Sequence, residues 1–463
     1  MHELKKRLRS HIPRFLIVAY HYLWGISGAL FYRFPSRSIV IIGVTGTKGK
    51  TSVSYLLRDM LQDAGVKTAL SSSTHFFIGE EKQENKSRAT MPGRWFLQKF
   101  LRNAVSKNCE IAIIETTSEG LMQYRHAGID IDIALFLNLH PEHIEHHGGF
   151  EKYKQAKGKM FERLLKGGTK YFKGVPVKKT IVANLDDDYA DYFLGFAAER
   201  KITFGLRGGS SDTHLVPDRY AFKTTGLSFF LEKTVFSSSL LGTQGLYNIL
   251  ACLAVLRALE LPLTCAKDTL FHVRGLSGRF DIIPAKGFKV IVDYAHTPQS
   301  IEDLYKNVLS IFKPPKMLCV IGSAGGLRDK WKRPVIGKIA AQYCSDIVIT
   351  NEDPFDEDPL VIMRSIEQGV KNYLEEFDFK KEYEVIEDRY SAIVKVIKQA
   401  QRSDVVVLVG KGSENTIETQ SGSVAWNERE AVMRALRECK KTPTTQKSKQ
   451  SSAKKATKQK KSS

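Results

Sequence analysis

The sequence predicts an α/β fold in two domains, each a mostly parallel sheet whose strands alternate with helices. Three observations carry that prediction. Residues 38–52, SIVIIGVTGTKGKTS, form a β-branched run that breaks into glycines and ends in Gly49-Lys50-Thr51. Apolar runs opening at 110–115, 133–147 and 180–184 follow, with stretches of helical spacing such as 52–65, 95–105 and 246–259 among them. The pattern restarts at 289–293, KVIVD, and continues at 317–322, 347–350 and 405–410, each followed by a helix-like segment.

The first run reads as a buried strand feeding a phosphate-binding turn. A polyphosphate needs backbone N–H groups converging on its oxygens, and glycine lets the chain approach that closely. Gly43, Gly46 and Gly49 supply this, a helix beginning near Thr51 adds its positive end, Lys50 reaches the outer phosphates, and the Thr51 hydroxyl suits Mg²⁺. The strict P-loop pattern places glycine where this chain has Val44, so the shorter form GTKGKT, Gly46, Thr47, Lys48, Gly49, Lys50 and Thr51, is the better match.

At 463 residues and 42% hydrophobic content, the chain has material for two or three cores. The formal charge of +20 raises a nucleic-acid reading, but it lies mostly at the ends. Residues 1–37 carry +6 and residues 440–463 carry +9, leaving +5 for the body. The segment 441–463 lacks any apolar face and reads as a disordered, solvated Lys-rich tail, so no specific nucleic-acid partner is expected. Six scattered cysteines without metal-ligand spacing read as small buried hydrophobes in a reduced, cytoplasmic protein.

Residues 15–32 hold no Lys, Arg, Asp or Glu. This N-terminal arm, 1–37, is expected to be a helix or helical hairpin packed on the protein or lying at a membrane surface, rather than a span. Residues 79–86 read as a polar loop. The run 110–115, EIAIIE, ends in Glu115, which a parallel sheet brings beside the phosphate loop as a candidate Mg²⁺ ligand. The stretch 133–147 runs into His140, Glu142, His143, Glu145, His146 and His147. Zinc is one reading of these; one histidine at the nucleotide site with the rest on the surface is the blander one. In the second half, strand ends carry Asp293-Tyr294-Ala295-His296, Arg328-Asp329, Glu352-Asp353-Pro354 and Gly410-Lys411-Gly412, a gathering of polar groups that suits a two-substrate enzyme.

Seven ordered motifs resemble the Mur ligases, over roughly 38–436, and most of all the branch that adds the third amino acid of the muramoyl peptide. They are GVTGTKGKT (43–51), NLHPEHIEHHG (138–148), YKQAKGKMF (153–161), GRFDII (278–283), VDYAHTP (292–298), GGLRDKWKRP (325–334) and GKGSE (410–414). The resemblance implies a P-loop central ATP-binding domain over 38–280 and a smaller Rossmann-like α/β C-terminal domain over 281–440. It implies that ATP and Mg²⁺ activate the carboxylate of UDP-N-acetylmuramoyl-L-alanyl-D-glutamate as an acyl phosphate, which a free amino acid then attacks. A lipid-linked murein precursor or a cyanophycin-like substrate is the alternative, and a monomer is expected.

By the same resemblance, Lys50 and Thr51 serve the phosphates and the first Mg²⁺, Glu115 and His143 are further metal ligands, and Lys157 is carbamylated, which turns an ammonium into an anionic oxygen ligand. Asn248, Arg279 and Asp293 match nucleotide contacts. Thr90, Ser118, Gln123 and Arg125 match contacts to the growing peptide, and Arg328, Asp353, Phe355, Gly410 and Glu414 match contacts to the incoming amino acid. Several positions depart from the family pattern: Gln244-Gly245 and Thr117-Ser118-Glu119 replace its usual residues, and the apolar arm stands where a small UDP-binding domain is usual. Relatives that add meso-diaminopimelate carry Asp-Asn-Pro-Arg where this chain has Glu352-Asp353-Pro354-Phe355, which points to an amino acid ending in an ammonium, such as lysine or ornithine. The competing expectation is that Arg333 supplies the missing guanidinium.

Overall fold

The computed structural model describes residues 13–441 apart from 88, 143–146, 209–212, 276 and 327. The chain divides into two compact units, one of residues up to 275 with 327–329, the other of 276–326 and 330 onward.

The first unit is built on a nine-stranded sheet. Its strands are β1 (Val40–Thr45), β2 (Thr68–Ser71), β3 (His75–Ile78), β4 (Glu81–Glu84), β5 (Ile111–Glu115), β6 (Ile133–Phe136), β9 (Thr180–Asn184), β10 (Arg200–Phe204) and β11 (His214–Leu215); β7 (Lys170–Phe172) and β8 (Val175–Val177) form a separate hairpin. The order is β11-β10-β9-β6-β1-β5-β2-β3-β4, with β3 alone reversed, antiparallel to both β2 and β4. All six residues of β1 are buried. Val40, Ile42 and Val44 join the core on one face, Ile41 the core on the other, because alternate side chains point to opposite faces and both are covered. Each such aliphatic side chain contributes about 1.5–3 kcal/mol by leaving water. Burial on both faces fixes β1 at the centre, so its C-terminal end and those of β5 and β6 form the edge where a parallel sheet binds ligands.

One sequence expectation changes here, and one sheet appears that the sequence reading did not address. Residues 79–86 do not form a loop throughout, since Glu81–Glu84 pairs with β3 as an antiparallel edge strand turned at Gly79, φ +61°. All four of its residues are exposed and polar, so no apolar alternation marked it. An antiparallel sheet of β12 (Arg219–Lys223), β13 (Gly226–Leu231) and β14 (Thr234–Ser238) also stands apart from the large sheet.

The arm is a helix over Arg14–Phe31. It sits close to the chain through small residues: a Cβ on Gly25 would lie 2.7 Å from Ala127 Cβ, and one on Gly28 would lie 3.2 Å from Trp95 Cδ1. Its other face exposes Leu16, Tyr20, Leu23, Trp24, Leu30 and Phe31. Among the described residues no helix is long and apolar enough to cross a membrane.

The second unit holds a six-stranded sheet of β15 (Asp281–Pro284), β16 (Lys289–Val292), β17 (Met317–Ile321), β18 (Asp346–Ile349), β19 (Tyr383–Val385) and β20 (Val405–Leu408), in the order β15-β16-β20-β17-β18-β19. Only β15 runs antiparallel to its neighbour, which makes a Rossmann-like sheet with one edge reversed. A small hairpin, β21 (Thr416–Thr419) and β22 (Gly422–Ala425), follows. The cysteines are not all unpaired hydrophobes. Cys319 on β17 and Cys344 at the end of the Lys332–Tyr343 helix form a disulfide across a Cα separation of 6.1 Å, while Cys109, Cys252, Cys265 and Cys439 are free thiols.

Candidate active site

The glycine loop leaves β1 and turns at Gly49, whose φ of +83° caps the Lys50–Asp63 helix. Side chains do not fit there: a Cβ on Gly49 would come within 3.0 Å of Asn248 Oδ1, and one on Gly46 within 3.0 Å of Leu137 Cβ. Asn138 pins the loop from the end of β6, its carbonyl accepting from Thr47 N at 3.0 Å and its Oδ1 from Lys48 N at 2.8 Å. Lys48 pairs with Glu142 at 3.5 Å. Lys50 Nζ donates to the carbonyls of Gly46 and Thr47 at 2.8 and 3.1 Å, and so lies over the loop it is expected to serve.

Thr51 Oγ1 donates to Glu115 Oε2 at 3.1 Å and contacts Ser73 Oγ at 2.9 Å. A hydroxyl and a buried carboxylate at the head of a glycine loop are hard oxygen donors of the kind Mg²⁺ takes, and the backbone cradle is one a Cβ would fill, so these residues fit a Mg²⁺-nucleotide. Lys157, on the Phe150–Gly158 helix, is 2% exposed and donates to Gly46 O at 2.9 Å. Burial first, and the nearby Lys50 charge second, hold its ammonium well below the ordinary lysine range. Asn248 accepts from Gln244 Nε2 at 2.9 Å, so a residue that departs from the family pattern positions one that keeps it.

The predicted peptide-binding residues fall nearby in the same unit. Ser118 Oγ lies 3.0 Å from His147 Nε2, and His147 packs against Tyr153. Arg125 holds Gln123 Oε1 through Nε at 3.2 Å and Nη2 at 2.9 Å, and Nη1 donates to Met91 O beside Thr90. His143, the remaining predicted metal ligand, lies outside the described residues. Among the described residues no group of three His, Cys, Asp or Glu side chains gathers as a metal site.

In the second unit, Asp293 accepts from Phe280 N and Ala295 N, both at 2.6 Å, and thereby shapes the segment carrying Arg279, whose guanidinium lies 4.3 Å over the Tyr294 ring. Tyr294 OH donates to Glu414 Oε1 at 3.0 Å. Lys411, which the sequence places among the polar strand ends without a specific role, sits between Gly410 and Glu414. Its fully buried Nζ donates to both oxygens of Asp353 at 2.8 Å and to Glu414 Oε2 at 2.6 Å. Burial pulls Lys411 down, but Glu414 and Asp353 outweigh it and hold the ammonium above its usual range. Gly410, φ +101°, admits no side chain, since a Cβ would meet Glu352 Oε2 at 2.3 Å.

Phe355, φ +54°, packs beside Gly326, and Arg328 is exposed. Arg333 is 3% exposed and bound to Glu357 at 3.0 Å, with Lys330 on the same carboxylate at 3.3 Å.

A glycine loop with its hydroxyl and carboxylate at a parallel-sheet edge, followed by a second α/β unit, is the architecture of an ATP-dependent carbon–nitrogen ligase. The Mur ligase middle domain matches residues 44–256, and the Mur ligase, glutamate ligase domain matches residues 278–412. The chain belongs to the Mur ligase family. It is 34% identical over 413 residues to the UDP-N-acetylmuramoyl-L-alanyl-D-glutamate–2,6-diaminopimelate ligase of Halalkalibacterium halodurans, covering 88% of this chain and 80% of that protein. It is 31% identical over 439 residues to the enzyme of the same name from Geobacillus kaustophilus, covering 94% and 86%. A solved structure of such a ligase superposes with a TM-score of 0.58 at 28% identity, over 88% of this chain and 80% of that one. Folylpolyglutamate synthase of Mycobacterium tuberculosis shares the fold, with a TM-score of 0.66 at 14% identity over 84% and 92%.

Proposed function

We propose that this chain, acting as a monomer, joins an amino acid to the free carboxylate of UDP-N-acetylmuramoyl-L-alanyl-D-glutamate in peptidoglycan synthesis. The observation that carries the reading is the convergence of Lys50, the Thr51–Glu115 pair and Lys157 on one glycine loop. ATP with Mg²⁺ supplies the phosphoryl group. The acceptor carboxylate oxygen takes it and ADP leaves; the amine then attacks the carbonyl carbon, the C–N bond forms, the C–O bond to phosphate breaks, and the nitrogen loses a proton. Lys50 offsets charge on the phosphoryl oxygens, while Thr51 and Glu115 would hold the metal. Lys157 is suited to carbamylation because attack on carbon dioxide requires a neutral amine, and its depressed basicity supplies one. Purified protein offered this acceptor and single amino acids should release ADP only when both are present, and ADP release independent of the amino acid contradicts the reading.

The amino acid is proposed to be lysine or ornithine rather than the diaminopimelate for which the relatives are named. Arg333 is already held by Glu357, so it does not replace the arginine absent at Phe355. Wild type should therefore show the higher kcat/KM for lysine, and Phe355→Arg should move the preference at least about tenfold toward diaminopimelate, the scale of one charge-assisted pair. A wild type that strongly prefers diaminopimelate contradicts this.

We also propose that the outer face of the Arg14–Phe31 helix, with the +6 charge of residues 1–37, rests on anionic membrane. Vesicles containing anionic lipid should sediment the full chain, salt should weaken the effect, and a chain starting at Pro35 should stay in solution. Equal sedimentation of the two chains refutes it.

A further inference from the structure

The inner edge of the same helix meets a cluster that no step above uses. His21 Nδ1 lies 2.6 Å from Arg94 Nη2, and Arg94 Nε donates to the carbonyl of Gln123 at 2.8 Å. The Tyr22 ring stands edge-on to Tyr124 with centroids 5.8 Å apart. Lys159 Nζ lies 4.7 Å from the Tyr124 ring centre, and Arg163 Cζ lies 6.0 Å from that of Tyr22. Two cations, Lys159 and Arg163, thus stand over two tyrosines, with Arg94 and Arg125 next to them on Gln123, and among the described residues none of the four forms an ion pair with a carboxylate. Such a grouping is costly unless an anion answers it.

The field of the cluster registers on its neighbours. His126, stacked on Tyr124 and 2% exposed, is pushed down to about 3 by burial and then by Arg163 and Lys159, and Arg94 is lowered by burial and then by Arg125. The cluster lies beside Gln123 and Arg125, matched above to the acceptor peptide, on the side where the arm closes through Gly25.

We propose that the Arg14–Phe31 helix is one wall of the acceptor site, where Tyr22 with Lys159 and Arg163 receives the diphosphate of a diphosphate-linked sugar, and Arg94 and Arg125 add positive charge beside it. A guanidinium offers planar paired donors to phosphate oxygens, an ammonium adds a point charge, and the tyrosines present flat faces to the attached ring. The proposal rests on the ligase reading for the identity of the acceptor, but the diphosphate itself can belong to a nucleotide or to a polyprenyl lipid.

Calorimetry on the full chain carrying one equivalent of ADP, so that the glycine loop is filled and no excess diphosphate competes at the arm, reads binding of UDP, farnesyl diphosphate and uridine without turnover. A negative result therefore counts against the wall, while ADP release tests the ligase reading separately. A diphosphate should bind and uridine should not. UDP alone binding assigns a nucleotide-linked acceptor, farnesyl diphosphate alone a lipid-linked one, and both together the shared group. Lys159→Gln with Arg163→Gln should weaken that binding at least tenfold, Arg163→Lys should restore part of it, and ADP affinity should not change. Tyr22, 36% exposed, allows Tyr22→Ala as a second variant that leaves the core alone, with a severalfold loss expected. No diphosphate binding, uridine binding as tightly as UDP, or undiminished affinity in the Tyr22→Ala or double variant overturns the proposal.

Discussion

Lys50→Ala should lower ADP production by at least about a hundredfold, the loss typical when one preorganised group facing transition-state charge is removed. The reason is local. Lys50 lies across the loop on the carbonyls of Gly46 and Thr47, at the positive end of the Lys50–Asp63 helix, where phosphoryl oxygens would arrive. Glu115→Ala should do the same by another route, since it removes the carboxylate that accepts from Thr51 at 3.1 Å. Both variants should keep the wild-type circular dichroism spectrum, and Lys50→Ala also its melting temperature, because the sheet core is built from other side chains. Turnover retained in either variant removes these residues from the site.

Lys157→Ala should also abolish turnover, with a different signature. Its amine is buried, drawn well below its usual basicity, and 2.9 Å from the Gly46 carbonyl. If the working form is the carbamate, alanine leaves a cavity where an anionic oxygen ligand belongs, so short-chain carboxylates should partly rescue the variant while added bicarbonate should not. Mass spectrometry of active protein under native conditions that finds only unmodified lysine contradicts the carbamate.

How far the sequence could be read follows from burial. Strands covered on both faces, such as β1 and β20, are unbroken apolar runs and stand out in the chain. The glycine loop is legible because its chemistry is contiguous: Gly46 to Thr51 are neighbours in the chain as in space. The edge strand β4 is not, since four exposed polar residues look like any loop. Lys411 stood out only as one polar strand end among several, because its role lies in Asp353, 58 residues away. The same holds for Asp132, a buried carboxylate bound by Lys170 at 2.6 Å and Lys179 at 2.8 Å, which closes the base of the first unit with charges no local pattern announces. The Cys319–Cys344 bridge likewise depends on the neighbouring strands β17 and β18 and has no spacing signature.

Activation of a carboxylate by phosphoryl transfer is the central claim, and heavy-oxygen labelling of the acceptor tests it most directly. With the label in both oxygens of the D-glutamyl carboxylate under attack, the account predicts that each turnover leaves one labelled oxygen in the released inorganic phosphate and the other in the new amide. Release of label-free phosphate alongside product would contradict it.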